Sequence, residues 1–332
     1  MPVWIFFTAP RRKGLVSLAP RWKIALAFFC VYVFWGMTYL AMRVAVEDIP
    51  PYLMAGTRFV LAGLILYAVA RRRGDDAPTA LNWRAAVVVG GFLLLGGNAS
   101  VAWAEQRVSS GLAALLIGVM PIWMVSLEWL RGGSRPRLNV IGGLLLGVLG
   151  VGLLVLPQGG GRDRVDLLGA LVLIAAAASW AWGSVISKSA GLPKSPFLAT
   201  SMEMIAGGML CVVVAVLTGE LGGFSPAQVS HEALLAWLFL VIFGSLVAFT
   251  AFIWLLGVTS IAKVGTYAYV NPVVAVLLGW AILGEQVTLT TVFAATLILC
   301  GVAMVNLDWG SSARGVPAPV PLTSPSDHQR RQ

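Results

Sequence analysis

Long apolar runs separated by short polar turns fill the chain, and each run has the length that crosses a bilayer. A hydrocarbon core of about 30 Å needs about 20 helical residues. Ten stretches meet that demand, roughly 24–43, 51–70, 85–104, 111–130, 138–156, 167–187, 196–217, 234–256, 264–283 and 288–307. The backbone in lipid must satisfy its own amides, and the runs are far longer than the alternating strands of a barrel, so the spans are predicted as helices. The expected fold class is an all-α membrane protein with ten transmembrane helices.

The second half repeats the pattern of the first. Sliding the sequence by 145 residues places Trp35 on Trp180, Pro51 on Pro196, Leu53 on Leu198 and Gly63 on Gly208. A slide of 151 places Trp103 on Trp254, Ser109 on Ser260, Pro121 on Pro272, Trp129 on Trp280 and Gly150 on Gly301. The difference between the slides falls in a longer loop between residues 219 and 233. Because the repeat unit holds an odd number of spans, its two copies enter the bilayer from opposite sides, the inverted arrangement of secondary transporters. The expected organisation is a disordered cytoplasmic leader over 1–21, a first repeat over 22–157 (helices 1–5), a second over 166–308 (helices 6–10) and a tail over 309–332. The tail carries Pro317, Pro319, Pro321 and Pro325 among polar residues and has too few apolar ones to pack.

Composition narrows the class further. Hydrophobic residues make up 58% of the chain and charged ones 11%, with a mean hydropathy of +0.87, which excludes a soluble domain. The net charge of +9 does not point to nucleic acid, because the basic residues lie in short loops and not among exposed aromatics. With the N-terminus in the cytoplasm, eighteen of the 23 Lys and Arg fall on that side and only Arg107, Arg162 and Arg164 on the other. Both termini are therefore expected in the cytoplasm, and the chain in the cell's inner membrane. Cys30, Cys211 and Cys300 lie within apolar stretches at no metal-ligand spacing and read as small core residues. His231 and His328 fall outside the spans, so no convergent nucleophile, base or metal set exists, and neither enzyme, metal site nor cofactor is expected.

The polar residues within spans carry the functional expectations. An ionisable group at membrane depth is costly enough to mark a function by default. Arg58 and Glu203 stand seven residues after Pro51 and Pro196, at equivalent places with opposite charge. Either they latch two gates, or they hold helices together in polar networks. Glu203, the one carboxylate well inside a predicted span, is the candidate for proton coupling. Tyr32, Trp35, Tyr39 and Arg43 recur at helical spacing on one face of the first span, and Trp180, Ser184 and Ser187 on its counterpart. Of these, Trp35, Tyr39, Trp180 and Ser184, together with Asn98, Thr250, Trp254, Tyr267 and Asn271, form the candidate substrate cavity, against the alternative of plain packing or an interfacial belt. Pro121 and Pro272 interrupt two equivalent spans, either as static kinks or as the bends of a gated central site. Gly143 and Gly147 form a small-xxx-small pair suited to close packing within the molecule or to a homodimer contact.

Several strings carry a resemblance: FWGMTYLAMR (34–43), PPYLMAGTRFVLAG (50–63), AEQRVSSGLAALL (104–116), SWAWGSVISK (179–188), FGSLVAFTAFIWLL (243–256) and NPVVAVLLGWAILGE (271–285). Together they resemble the EamA family of the drug/metabolite transporter superfamily, in its YedA-like exporter branch, over about residues 22–308. The resemblance implies two inverted five-helix EamA repeats around a cavity bounded chiefly by spans 1, 3, 4, 6, 8 and 9. It implies an exporter of a small organic metabolite, amino acid or drug working by alternating access. The alternative on the same fold is a non-transporting membrane receptor or regulator. The partners expected are a small-molecule solute and the lipid bilayer.

Overall fold

The computed structural model describes residues 20–130, 138–155, 166–187, 190–258 and 267–312. Residues 1–19 of the leader, the tail from 313 on, Ser260, Arg162 and Arg164 lie outside the described residues. In chain order the helices are α1 (Arg21–Asp48), α2 (Pro51–Arg72), α3 (Ala80–Ala104), α4 (Ser110–Ile117), α5 (Met120–Leu130), α6 (Leu138–Val155), α7 (Leu167–Ser187) and α8 (Pro196–Leu217). Next come α9 (His231–Phe239, continued through Leu240–Ala248 and Phe249–Val258), α10 (Tyr267–Leu283) and α11 (Leu289–Ser312). Six of them are long and apolar enough to cross a membrane: α1, α2, α3, α7, α8 and the His231–Phe252 part of α9. Shorter apolar stretches occupy Ile141–Gly150, Val270–Leu283 and Leu289–Gly301.

The helix ends follow from side-chain chemistry. Thr79 and Asn82 form a reciprocal capping box at α3, and Ser109, Ser195 and Ser230 cap α4, α8 and α9 by accepting a bond from the third residue on. Pro51 and Pro196 open α2 and α8 at the one place where a missing N–H costs nothing.

One predicted span differs. The stretch 111–130 is broken at Gly118–Val119 into α4 and α5. Pro121 cannot donate to the carbonyl of Ile117, so the helix restarts there. Pro272 sits within α10, only five residues from its start, and that helix continues. The two prolines occupy equivalent sequence positions, but only Pro121 coincides with a break. α1, α3 and α9 each contain a π segment, at Cys30–Phe34, Gly91–Ala99 and Leu240–Ala248.

The relation between the halves is visible in the packing. α2 and α8 are equivalent under the slide of 145, α6 and α11 under that of 151, and these two pairs make the most extensive helix contacts in the molecule. Gly63 lies against the backbone nitrogen of Ile205, and Gly208 against that of Val60, the residue equivalent to Ile205. Likewise Gly150 lies against Ala294 O and Ile298 N, and Gly301 against Gly143 O and Gly147 N, their equivalents. Such reciprocity marks a two-fold relation. Along α2 the partner numbers fall as its own rise, from Val212 at Gly56 to Ile205 at Gly63, so the equivalent helices run antiparallel. Gly143 and Gly147 thus pack within the chain. Cys30 and Cys211 are buried as expected, but Cys300 is exposed on α11, on the same side as Phe293. That outward face needs only an apolar residue, which Cys satisfies.

Candidate functional site: a cavity between the repeats

Where the halves meet, α1 to α5 of the first repeat and α7, α9 and α10 of the second enclose a cavity, with about 100 Å³ open to the centres of water-sized molecules. Among the described residues, none of α6, α8 or α11 is in its walls. Of the candidate cavity residues, Trp35, Tyr39, Asn98, Trp180, Tyr267 and Asn271 come together in the lining, joined by Arg58 and Pro272.

Trp35 organises one wall. Its indole Nε1 donates to Gly244 O at 3.0 Å, in the π segment of α9, where wide turns leave carbonyls without their usual helical partners. Its ring meets Phe249, Phe252 and Tyr267 at centroid distances of 5.7, 5.0 and 5.3 Å. The Tyr267 hydroxyl points at Met120 Sδ, 4.0 Å away. Oriented to satisfy its neighbours, the Asn271 amide donates to the carbonyls of Tyr32 (3.1 Å) and Tyr267 (3.3 Å).

Arg58 is buried to 3% exposure and faces the cavity. Its Nε donates to Ser245 Oγ at 3.0 Å and its Nη1 to Asn98 Oδ1 at 3.3 Å, and the guanidinium lies 4.6 Å from the centroid of the Phe59 ring. It makes no ion pair with Glu203. Among the described residues the salt bridge present is Arg107–Asp166, at 3.8 Å. Glu203 is buried on α8, where its backbone carbonyl lies against Gly90 of α3, and it is not part of the cavity wall.

Three other candidates also stand apart from the cavity. Ser184 Oγ donates back to Trp180 O at 2.8 Å. Thr250 is buried, and Trp254 packs with Ala27, Val31 and Leu255 between α1 and α9. For Thr250 and Trp254 the reason lies in the π segment upstream on α9. A wide turn carries an extra residue, which rotates everything after it by about 100°, so Gly244 and Phe249 face the cavity instead.

Glu105 is a buried acid outside the candidates that the sequence offers. It is 0% exposed, and neither of its carboxylate oxygens has a hydrogen-bond partner among the described residues. Arg43 donates to the Glu105 backbone carbonyl. Lying one residue beyond the α3 span, Glu105 is pushed well above the usual carboxylate range by burial and then by the Glu285 carboxylate, against the pull of Arg43 and Arg58. Glu285 is itself engaged at the start of α4, accepting from Ser110 N (2.8 Å), Ser110 Oγ (2.9 Å) and Gly111 N (3.2 Å). The available signal was an acid at the edge of a predicted span, which a boundary drawn by hydropathy assigns to water.

Long apolar helices, antiparallel packing of equivalent helices and a cavity walled by both halves define a class: a membrane protein built to hold a solute between two repeats. Comparison with known proteins agrees. Residues 22–156 and 167–307 each match the EamA-like transporter family, and the chain belongs to that family. It is 35% identical to the uncharacterized inner membrane transporter YedA of Escherichia coli (strain K12), over 89% of this chain and 94% of that one. It is 24% identical to a probable amino-acid metabolite efflux pump of the same organism, over 86% and 95%. A solved crystal structure superposes with a TM-score of 0.60 at 22% identity, covering 86% of this chain and 97% of its own, a likeness of fold alone. The protein is a membrane transporter and not an enzyme.

Proposed function

We propose that this transporter carries a small organic solute outward across the inner membrane by alternating access, with ten spans in two inverted repeats and both termini in the cytoplasm. The observation that supports this best is the cavity itself. Its walls come from both repeats, so rocking one half against the other changes which side it opens to, while the α2–α8 and α6–α11 contacts stay together. Outward direction is favoured by the relative named as an efflux pump. Trp35, Tyr39, Asn98, Trp180, Tyr267 and Asn271 hold the solute by stacking and hydrogen bonding.

The test is a pair of measurements on the full chain in liposomes. Solute flux distinguishes a carrier from a receptor, which binds without moving its ligand. Cysteine at position 35 or 180 is expected to react with a membrane-impermeant thiol reagent from one side in one condition and from the other in another. Sites inert from both sides in every condition would overturn alternating access.

A further inference from the structure

We propose that the cavity is built for an organic anion: a carboxylate on a flat apolar or aromatic body, in preference to an amine or a zwitterion. This rests on the carrier reading above and specifies its substrate class.

The charge inventory of the walls is one-sided. Arg58 is their one ionised residue, and among the described residues no Asp, Glu or Lys lines the cavity. A guanidinium offers five N–H donors, and Arg58 engages two, both on neutral acceptors, Ser245 Oγ and Asn98 Oδ1. A buried cation without a fixed counter-ion is costly at membrane depth. A carboxylate seated on the free edge of the guanidinium removes that cost with paired, charge-assisted bonds.

The nearest protein carboxylate does not take that place. Glu105 lies within electrostatic reach of Arg58, but it is outside the lining and its oxygens have no hydrogen-bond partner among the described residues. Its burial favours the neutral acid. It therefore leaves the Arg58 charge to be met by the solute.

An ammonium group finds no comparable seat. The side-chain acceptors in the walls, such as Asn98 Oδ1, which already accepts from Arg58, are all neutral. The aromatic faces attract a cation weakly, and the Arg58 charge opposes it. Those faces instead suit the body of the solute, with Trp35, Trp180 and Phe249 among them.

The experiment is a charge scan on one skeleton. The purified full-length protein is titrated with 3-phenylpropanoate, L-phenylalanine, 3-phenylpropylamine and 3-phenylpropanol, and binding is read by thermal stabilisation and by uptake into proteoliposomes. The acid is expected to bind about tenfold or more tighter than the other three, the size of one charge-assisted hydrogen bond. Arg58→Gln is expected to abolish that preference. Asn98→Asp is the second variant, because it is nearly isosteric and fixes a counter-charge 3.3 Å from Nη1. It is expected to keep the fold, as its unliganded melting temperature would report, while losing the acid.

An amine, alcohol or zwitterion bound as well as the acid overturns the substrate class. So does acid binding that survives both variants, or no binding by any of the four. In each of these cases state-dependent cysteine reactivity at positions 35 and 180 still reports on the carrier reading, so the two failures are distinguishable.

Discussion

The pseudo-two-fold contact between α6 and α11 can be tested with methyl groups. A Cβ added at Gly150 would lie 2.7 Å from Ile298 Cγ1, 2.9 Å from Ala294 O and 3.1 Å from Ile298 N. At Gly301 it would lie 2.5 Å from Gly143 O and 2.9 Å from Gly147 N. At Gly152, on the same helix as Gly150, it would meet nothing within 4 Å. Backbone atoms cannot step aside as a side-chain tip can, so the helices must separate. Overpacking of this kind costs about 1–3 kcal/mol, while any Gly to Ala change within a helix gains about 0.8–1 kcal/mol from propensity. Gly152→Ala carries the gain alone. Gly301→Ala is therefore expected to melt below Gly152→Ala by about 1–3 kcal/mol, or roughly 2–6 °C at about 2 °C per kcal/mol, with Gly150→Ala beside or slightly above Gly301→Ala. The double variant Gly150→Ala, Gly301→Ala is expected to cost less than the sum, because one separation admits both methyls. The assay is thermal unfolding of detergent-purified protein followed by tryptophan fluorescence. If Gly152→Ala is as damaging as Gly301→Ala, the reciprocal contact is not where stability resides and the two-fold reasoning fails.

Trp35→Phe keeps the ring but strands Gly244 O, and the expected loss is about 1–3 kcal/mol; an unchanged melting temperature would show that this carbonyl has another partner. Glu105→Gln is expected to flatten the dependence of stability on pH. Glu105 holds its proton more tightly folded than unfolded, so the native protein loses stability as pH rises above the usual carboxylate range, and the amide does not. Melting curves across that range check the sign, and equal slopes in the two proteins would rule Glu105 out as the titrating group. Glu220→Gln with Glu285→Gln weakens the start of α2 and of α4 and is expected to raise the reactivity of a cysteine at position 39 toward an external thiol reagent. Unaltered labelling would mean that these carboxylates do not restrain opening.

How far the sequence could be read depended on whether a signal was local. Apolar length placed the helices within a few residues, since Pro51, Pro196 and the serine caps mark their starts as clearly in the chain as in space. The repeat was legible because its glycines, such as Gly63 and Gly208, answer to one another across an interface. Of the six candidates that the cavity lining holds, Trp35 and Tyr39 were legible through helical spacing, Trp180 through the repeat, and Asn98, Tyr267 and Asn271 as polar groups within apolar runs. Thr250 and Trp254 were not, because a π segment shifts the helical phase and leaves no mark in composition. Glu203 attracted notice for lying deep in an apolar run, whereas burial depends on neighbouring helices. Glu105, at the edge of its run, is the more deeply enclosed of the two, at 0% against 8% exposure.

The contacts between repeats divide into two kinds with different tolerance for motion. At α2–α8 and α6–α11 the backbones themselves touch across glycine, so any separation gives up close packing. At one end of the molecule, by contrast, each repeat lends carboxylates to helix starts of the other. Asp48 accepts from Ser230 N at 2.9 Å, ahead of α9. Glu220 accepts from Leu53 N at 2.9 Å in α2, and Glu285 from Ser110 N at 2.8 Å in α4. On the proposed topology this is the outer end. An anion at a helix start contributes about 0.3–1 kcal/mol from the helix dipole, and water can take its place when the bond breaks. Glu220 and Glu285 therefore form catches that part at small cost, in a range where a solute's preference for one state of a few kcal/mol decides the outcome. The glycine contacts do not part in this way, and in the proposed alternating-access cycle they are assigned the role of pivot about which the catches open.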